Sequence, residues 1–174
     1  MDSQNINSRD VWQGRMLKVS IDTVSLPNGN SVDLEIIRHP GAAAILPIDD
    51  QNRVVLVRQV RHATGGWLLE IPAGKLDDKE EPETCARREL REETGLVAGK
   101  LTPMGVIWTT PGFTDERIWL FLATELSEVK QSLDVDEVLT IERYEFDDAL
   151  TMAINGEIED SKSICALLRA RHYL

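Results

Sequence analysis

Short apolar and β-branched runs separated by turn formers fill the first seventy positions, and this alternation predicts strands. Residues 16–26 (MLKVSIDTVSL) and 31–39 (SVDLEIIRH) flank Pro27-Asn28-Gly29-Asn30, which reads as a β-hairpin. Residues 42–48 (AAAILPI) and 53–60 (RVVLVRQV) carry short apolar runs around the polar turn at 49–52, which suits two buried strands joined by that turn. Leu68, Leu69 and Ile71 predict a short strand ending at Pro72. The period then changes. From Pro82 to Thr94 charged residues recur three and four apart, a proline stands at the start and Gly95 at the end, so a helix is expected there. Strand patterns return at 104–110, 117–124 and 138–144, with Pro111-Gly112 and the acidic stretch 134–137 as loops. Asp147 or Asp148 would cap a helix to about Asn155, ended by Gly156. Ser161 would start another through His172, with Ile164, Leu167 and Leu168 as its apolar face. The order implies α/β layers around a mixed sheet.

Composition narrows the class. A chain of 174 residues suits one core, and no apolar run reaches the roughly 20 residues of a membrane span, so a cytoplasmic protein is expected. Two cysteines, Cys85 and Cys165, suggest neither a disulfide framework nor a zinc site and are expected as buried packing residues. A net charge of −11 repels polyphosphate backbones, which argues against nucleic acid as a partner, and an anionic small substrate would need metal ions or arginines.

The helix carries the candidate chemistry. Glu89, Glu92 and Glu93 stand at i, i+3 and i+4, so their carboxylates share one face. Two readings follow: a cation site, or a solvated salt-bridge ladder with Arg88 and Arg91. The surrounding string favours the first. Residues 74–96, GKLDDKEEPETCARRELREETGL, resemble the Nudix box at each of its positions: Gly74, Glu80, Arg88, Glu89, an apolar Leu90, Glu92, Glu93, Gly95 and an apolar Leu96. The resemblance implies a Nudix-type α/β/α sandwich with a mixed β-sheet, formed by 41–174, and an N-terminal β-hairpin extension within 1–40. It also implies that Glu89 and Glu93 ligate a divalent ion with the backbone carbonyl of Ala73, and that Glu92 ligates directly or through water. Hard carboxylate oxygens suit Mg²⁺, with Mn²⁺ as a substitute. Glu80 and Arg88 would steady the carboxylates, and Gly74 would let the loop turn without a Cβ clash.

Outside the box, residues 55–74 (VLVRQVRHATGGWLLEIPAG) and 110–123 (TPGFTDERIWLFLA) are similar to ADP-ribose and nucleoside-diphosphate-sugar pyrophosphatases, and Pro111 stands where that subfamily carries a proline. The implied activity is cleavage of a nucleoside diphosphate sugar, ADP-ribose to AMP and ribose 5-phosphate before GDP-mannose or ADP-glucose; a non-catalytic ligand sensor is the remaining alternative. Arg38 and Arg61 are candidate phosphate or ribose contacts or surface pairs. Glu70 and Glu116 would accept ribose hydroxyls or extend the metal shell, or be solvated carboxylates. Trp12 would stack on a base, or pack at an interface or in the core. Related enzymes carry a base or ligand on an acidic loop, here Asp134, Asp136 and Glu137, where an aspartate, Asp136, stands at the usual glutamate position. The base is therefore Glu92, Glu93 or Asp136. Similar enzymes are commonly homodimers, and the 16–39 hairpin would reach the partner. None of the three histidines has a triad or metal spacing.

Overall fold

The computed structural model describes residues 3–133 and 138–174. By contact density the chain divides into two compact units, one of residues 1–41 with 108–117, the other of 42–107 with 118–174.

In the first unit, β1 (Gln4–Gln13), β2 (Lys18–Ser25) and β3 (Ser31–Arg38) form an antiparallel sheet in that order. The expected hairpin is β2–β3, and a third strand adds to it. β1 escapes sequence reading because all ten of its residues are exposed, which leaves no apolar alternation to see. Its ladder carries irregularities near Ile6 and Val11.

The second unit holds β4 (Ala42–Pro47), β5 (Arg53–Arg61), β6 (Gly66–Glu70), β7 (Ala73–Lys75), α1 (Pro82–Thr94), β8 (Leu96–Trp108), β9 (Arg117–Glu128), β10 (Leu139–Glu145), α2 (Phe146–Asn155) and α3 (Ser161–Ala170), apart from the strand ends at Trp108 and Arg117. One sheet runs β7-β4-β9-β8 and another β10-β5-β6. β4 pairs antiparallel with β7 and parallel with β9, so the first sheet is mixed. Every residue of β4 is buried, and its side chains alternate between two cores. Ala42, Ala44 and Leu46 pack with Phe146, Leu150 and Leu167 of α2 and α3; Ala43 and Ile45 pack with Cys85, Ala86 and Leu90 of α1. Helices on both faces of this strand make the expected α/β/α layering, and they explain why β4 reads as an unbroken apolar run.

Several local expectations change. β8 begins at Leu96 rather than at 104: Leu96 and Ala98 are buried with Val97 and Gly99 exposed, but this inward pair is followed by Lys100 and is too short an apolar pattern to read as a strand. α2 is capped at Glu145, not Asp147 or Asp148, which lie in its first turn, where carboxylates favour the helix dipole. Asp160 caps α3 by accepting the Ser163 N–H at 2.9 Å, and the helix ends at Ala170. Leu168 points outward and Cys165 is only half-buried; of the two cysteines Cys85 is the buried one.

Candidate active site

α1 forms as its sequence directs. Pro82 supplies a pre-set φ in the first turn, and Gly95 adopts the left-handed conformation with its N–H on Arg91 O at 3.0 Å. The underside of the helix, Cys85, Ala86 and Leu90, is anchored in the core. The same anchoring pulls two glutamates inward: Glu89 and Glu93 are 7% and 1% exposed. Burial on that scale is costly for a carboxylate unless partners or cations stand close.

One partner is the edge strand β7. Ala73 lies opposite Ala44, and the neighbouring pair takes the ladder bond, Ile45 N–H to Pro72 O at 2.9 Å. Ala73 is thus at a non-hydrogen-bonded position, where N–H and C=O both point away from the paired strand. Its N–H donates to Glu93 Oε2 at 3.2 Å. The next residue, Gly74, faces α1 as its partner Ala43 does. A Cβ there would stand 1.8 Å from Glu89 Oε1 and 2.0 Å from its Cδ. Gly74 is therefore not a turn residue, as its sequence context suggests; it is a strand residue over which a carboxylate lies.

Arg88 ties the other carboxylates together. Its Nε and Nη2 donate to the two oxygens of Glu80 at 3.0 and 2.8 Å, and Nη1 donates to Glu89 at 2.6 Å and to Glu92 at 3.1 Å. The hydrogen bonds from Arg88 hold the Glu80 carboxyl down to about 2, and Glu80 in turn raises the guanidinium above its ordinary value. The salt-bridge reading of the helix is thus correct for Arg88, but the bridge reaches across to the loop before α1 and arranges the glutamates. Burial pushes the Cys85 thiol beneath them up to about 12.

A second charged group adjoins this face. Glu70 is 1% exposed, and its two oxygens accept from Arg61 Nε at 2.7 Å and from Lys162 Nζ. Burial alone would lower the Arg61 guanidinium; the charges of Glu70 and, more weakly, Glu93 and Asp160 raise it instead. On the same face of β5, two residues earlier, Gln59 is buried with Oε1 unpaired among the described residues. Sequence reading found Arg61 and Glu70 but missed Lys162, Asp160, Ser163 and Gln59. The Asp-Ser-Lys-Ser run at a helix start was the available signal, and it reads as a cap alone.

The other candidates lie in the first unit. Arg38 ion-pairs with Asp22 and, at 3.2 Å, with Asp115. A hydrogen bond from Ser8, and then Arg38, hold the Asp22 carboxyl below its usual range. Glu116 accepts the Thr109 hydroxyl at 2.9 Å and lies 3.5 Å from His39 Nδ1. Trp12 is 56% exposed on β1, its ring lying over Gly14. Trp108, Pro111, Arg38 and Asp115 line a cavity of about 300 Å³ in this unit. Asp136 and its loop, 134–137, lie outside the described residues.

Among the described residues no three His, Cys, Asp or Glu side chains form a ready metal cage. The donors present are hard oxygens in an open array: the Glu89, Glu92 and Glu93 carboxylates beside the outward backbone of Ala73. That set fits a hard divalent ion which keeps several waters and shares substrate oxygens, rather than one held in an all-protein cage.

Comparison with known proteins agrees with this construction. The NUDIX domain family matches residues 37–167. An ADP-ribose pyrophosphatase of Bacillus subtilis (strain 168) is 40% identical over 169 residues, covering 96% of this chain and 91% of the relative. A methanol dehydrogenase activator of Bacillus methanolicus is 38% identical, covering 95% and 91%. A crystal structure of an ADP compounds hydrolase superposes with a TM-score of 0.86 over 100% of this chain and 95% of its own, at 22% identity, which establishes the fold. No helix among the described residues is long and apolar enough to cross a membrane.

Proposed function

The chain belongs to the NUDIX family, and from that premise we propose that it hydrolyses the diphosphate bond of a nucleoside diphosphate sugar, ADP-ribose before others, giving AMP and ribose 5-phosphate. One observation carries the reading: the glutamate face of α1 lies against Ala73 and Gly74 with no Cβ between them.

Glu89, Glu93 and the Ala73 carbonyl would hold a divalent ion, Mg²⁺ or in its place Mn²⁺, with Glu92 binding it directly or through water. When bound, such an ion neutralises the diphosphate and makes a coordinated water more acidic. Arg88 and Glu80 keep the carboxylates oriented, at the distances given above, before substrate arrives. Arg61 takes diphosphate oxygens with its terminal nitrogens. Glu70, whose oxygens are both engaged, holds Arg61 rather than ribose. Glu92 has the most exposed carboxylate of the three, with 39% of its side chain accessible, and suits holding the attacking water; Asp136 is the other candidate base. Arg38, Glu116 and Trp12 serve ribose and base recognition, Trp12 by stacking.

We also place the protein in the cytoplasm as a homodimer joined through its N-terminal strands. The exposed Ile6, Val11 and Trp12 of β1 support an interface there. Light scattering at dilute concentration tests this, and a stable, active monomer would reject it.

The deciding experiment is turnover and product analysis on ADP-ribose, ADP-glucose and GDP-mannose with Mg²⁺, for the wild type and Glu93→Gln. Losing a buried carboxylate ligand should cost at least about 10²-fold in kcat. Near-native activity in Glu93→Gln, or no turnover of any of the three sugars by the wild type, overturns the proposal. Comparing Glu92→Gln with Asp136→Asn then assigns the base.

A further inference from the structure

Lys162 is a buried lysine at the start of α3 whose neighbours fix it closely. Its ammonium ion-pairs with Glu70 Oε2 and lies 3.0 Å from Asp160 Oδ1. Asp160 is itself held by capping α3, and the Ser163 hydroxyl beside it accepts the Ile71 N–H at 2.8 Å. The ammonium is thus set from two directions, by the helix start and by the strand end that carries Glu70.

The consequence falls on Arg61. A carboxylate paired with no other cation can take arginine in a two-bond fork through Nε and a terminal nitrogen. Among the described residues four arginines donate both Nε and Nη2 to one carboxylate, Arg53 to Asp49, Arg58 to Glu142, Arg87 to Glu83 and Arg88 to Glu80, and none of these carboxylates is paired with a second cation. Arg61 makes only the Nε bond, to Glu70 Oε1; at Glu70 the second oxygen carries the Lys162 ammonium, whose positive charge repels the guanidinium. The terminal nitrogens of Arg61 make no hydrogen bond among the described residues, its side chain is 39% exposed, and Glu93 acts on its charge.

We propose that Lys162 is a positioning residue: by filling Oε2 of Glu70 it keeps Arg61 singly bonded, so that both terminal guanidinium nitrogens remain available to a diphosphate beside the α1 carboxylates. The substrate named rests on the function proposed above; the geometry does not. With Lys162 replaced by an apolar residue, Arg61 swings into the fork with Glu70 and withdraws one donor from the anion.

The test is a double-mutant cycle on the full chain with Lys162→Met, Arg61→Ala and the double variant, read as kcat and KM for ADP-ribose and as calorimetric affinity for inorganic pyrophosphate with Mg²⁺. Lys162→Met should raise KM and weaken pyrophosphate by about tenfold, the scale of one charged hydrogen bond, with kcat within about threefold. In the Arg61→Ala background it should change neither. Lys162→Arg, which refills Oε2 with a cation, should recover most of the affinity; it also serves if Lys162→Met does not fold. A merely structural lysine would instead lower Tm and the active fraction while leaving KM and pyrophosphate affinity alone, or would act equally in both backgrounds; either result overturns the inference. Coupling in pyrophosphate affinity without sugar-nucleotide turnover would sink the proposed function and leave the inference standing. Wild-type protein that binds pyrophosphate independently of Arg61, or not at all, refutes it.

Discussion

Gly74→Ala separates stability from catalysis more sharply than any other single change here. The backbone at Gly74 is not in the left-handed region, so alanine fits it, and a stiffer unfolded chain would add about 0.4–1 kcal/mol of stability. The added methyl, however, starts 1.8 Å from Glu89 Oε1, where ordinary contact begins at 3.4 Å, so the carboxylate must retreat by about 1.6 Å. The displaced atoms are the end of a flexible side chain, which can move cheaply at the expense of the 2.6 Å contact with Arg88. Net stability should therefore change by no more than about 1 kcal/mol. The carboxylate is nonetheless one of the two proposed to hold the metal. A misplacement of about 1 Å at such a group costs on the order of 10²-fold, or about 2.7 kcal/mol on the barrier. Thermal unfolding measured beside ADP-ribose turnover checks both halves. Activity within about threefold of wild type would show that Glu89 need not lie over Gly74 for catalysis; a large fall in Tm would show that the strand itself was disrupted.

Two further expectations follow from charge and burial. The Glu80 carboxyl sits at about 2 against an ordinary 4.5, so its pairing with Arg88 stabilises the fold fully above pH 4.5, and the contribution fades as pH falls toward 2. Discounted for the partly exposed guanidinium, it amounts to about 1–2 kcal/mol; Glu80→Gln should be less stable than wild type by that much at pH 7, and a gap that persists at pH 2 would contradict the pairing. Gln59→Met exchanges a buried, unpaired acceptor for an apolar group of similar length and should raise stability by about 0.5–1 kcal/mol in denaturant unfolding; a loss of stability would mean that the amide has a partner, such as a bound water.

How much of this was legible beforehand depended on whether the information is local. The limits of α1, its proline start and its glycine end were readable because caps and period are set within a few residues. The glutamate face of α1 was readable for the same reason, since i, i+3 and i+4 share a face in any helix. The buried strands β4 and β5 announced themselves as apolar runs. β1 did not, because a fully exposed strand is held by ladder bonds to β2 and not by burial of its own side chains. The first half of β8 was not legible because its buried face there, Leu96 and Ala98, is only two residues long.

The sequence by itself determined which residue types gather between Gly74 and Leu96, and hence that the chemistry is that of hard oxygen donors. Only the tertiary structure decided why Gly74 must be glycine, since the carboxylate above it comes from a residue fifteen positions later. The same holds for Lys162, 92 positions from its partner Glu70. Local propensity is carried by neighbours in the chain, whereas the choice of partner for a buried charge is carried by packing, which no window of sequence contains.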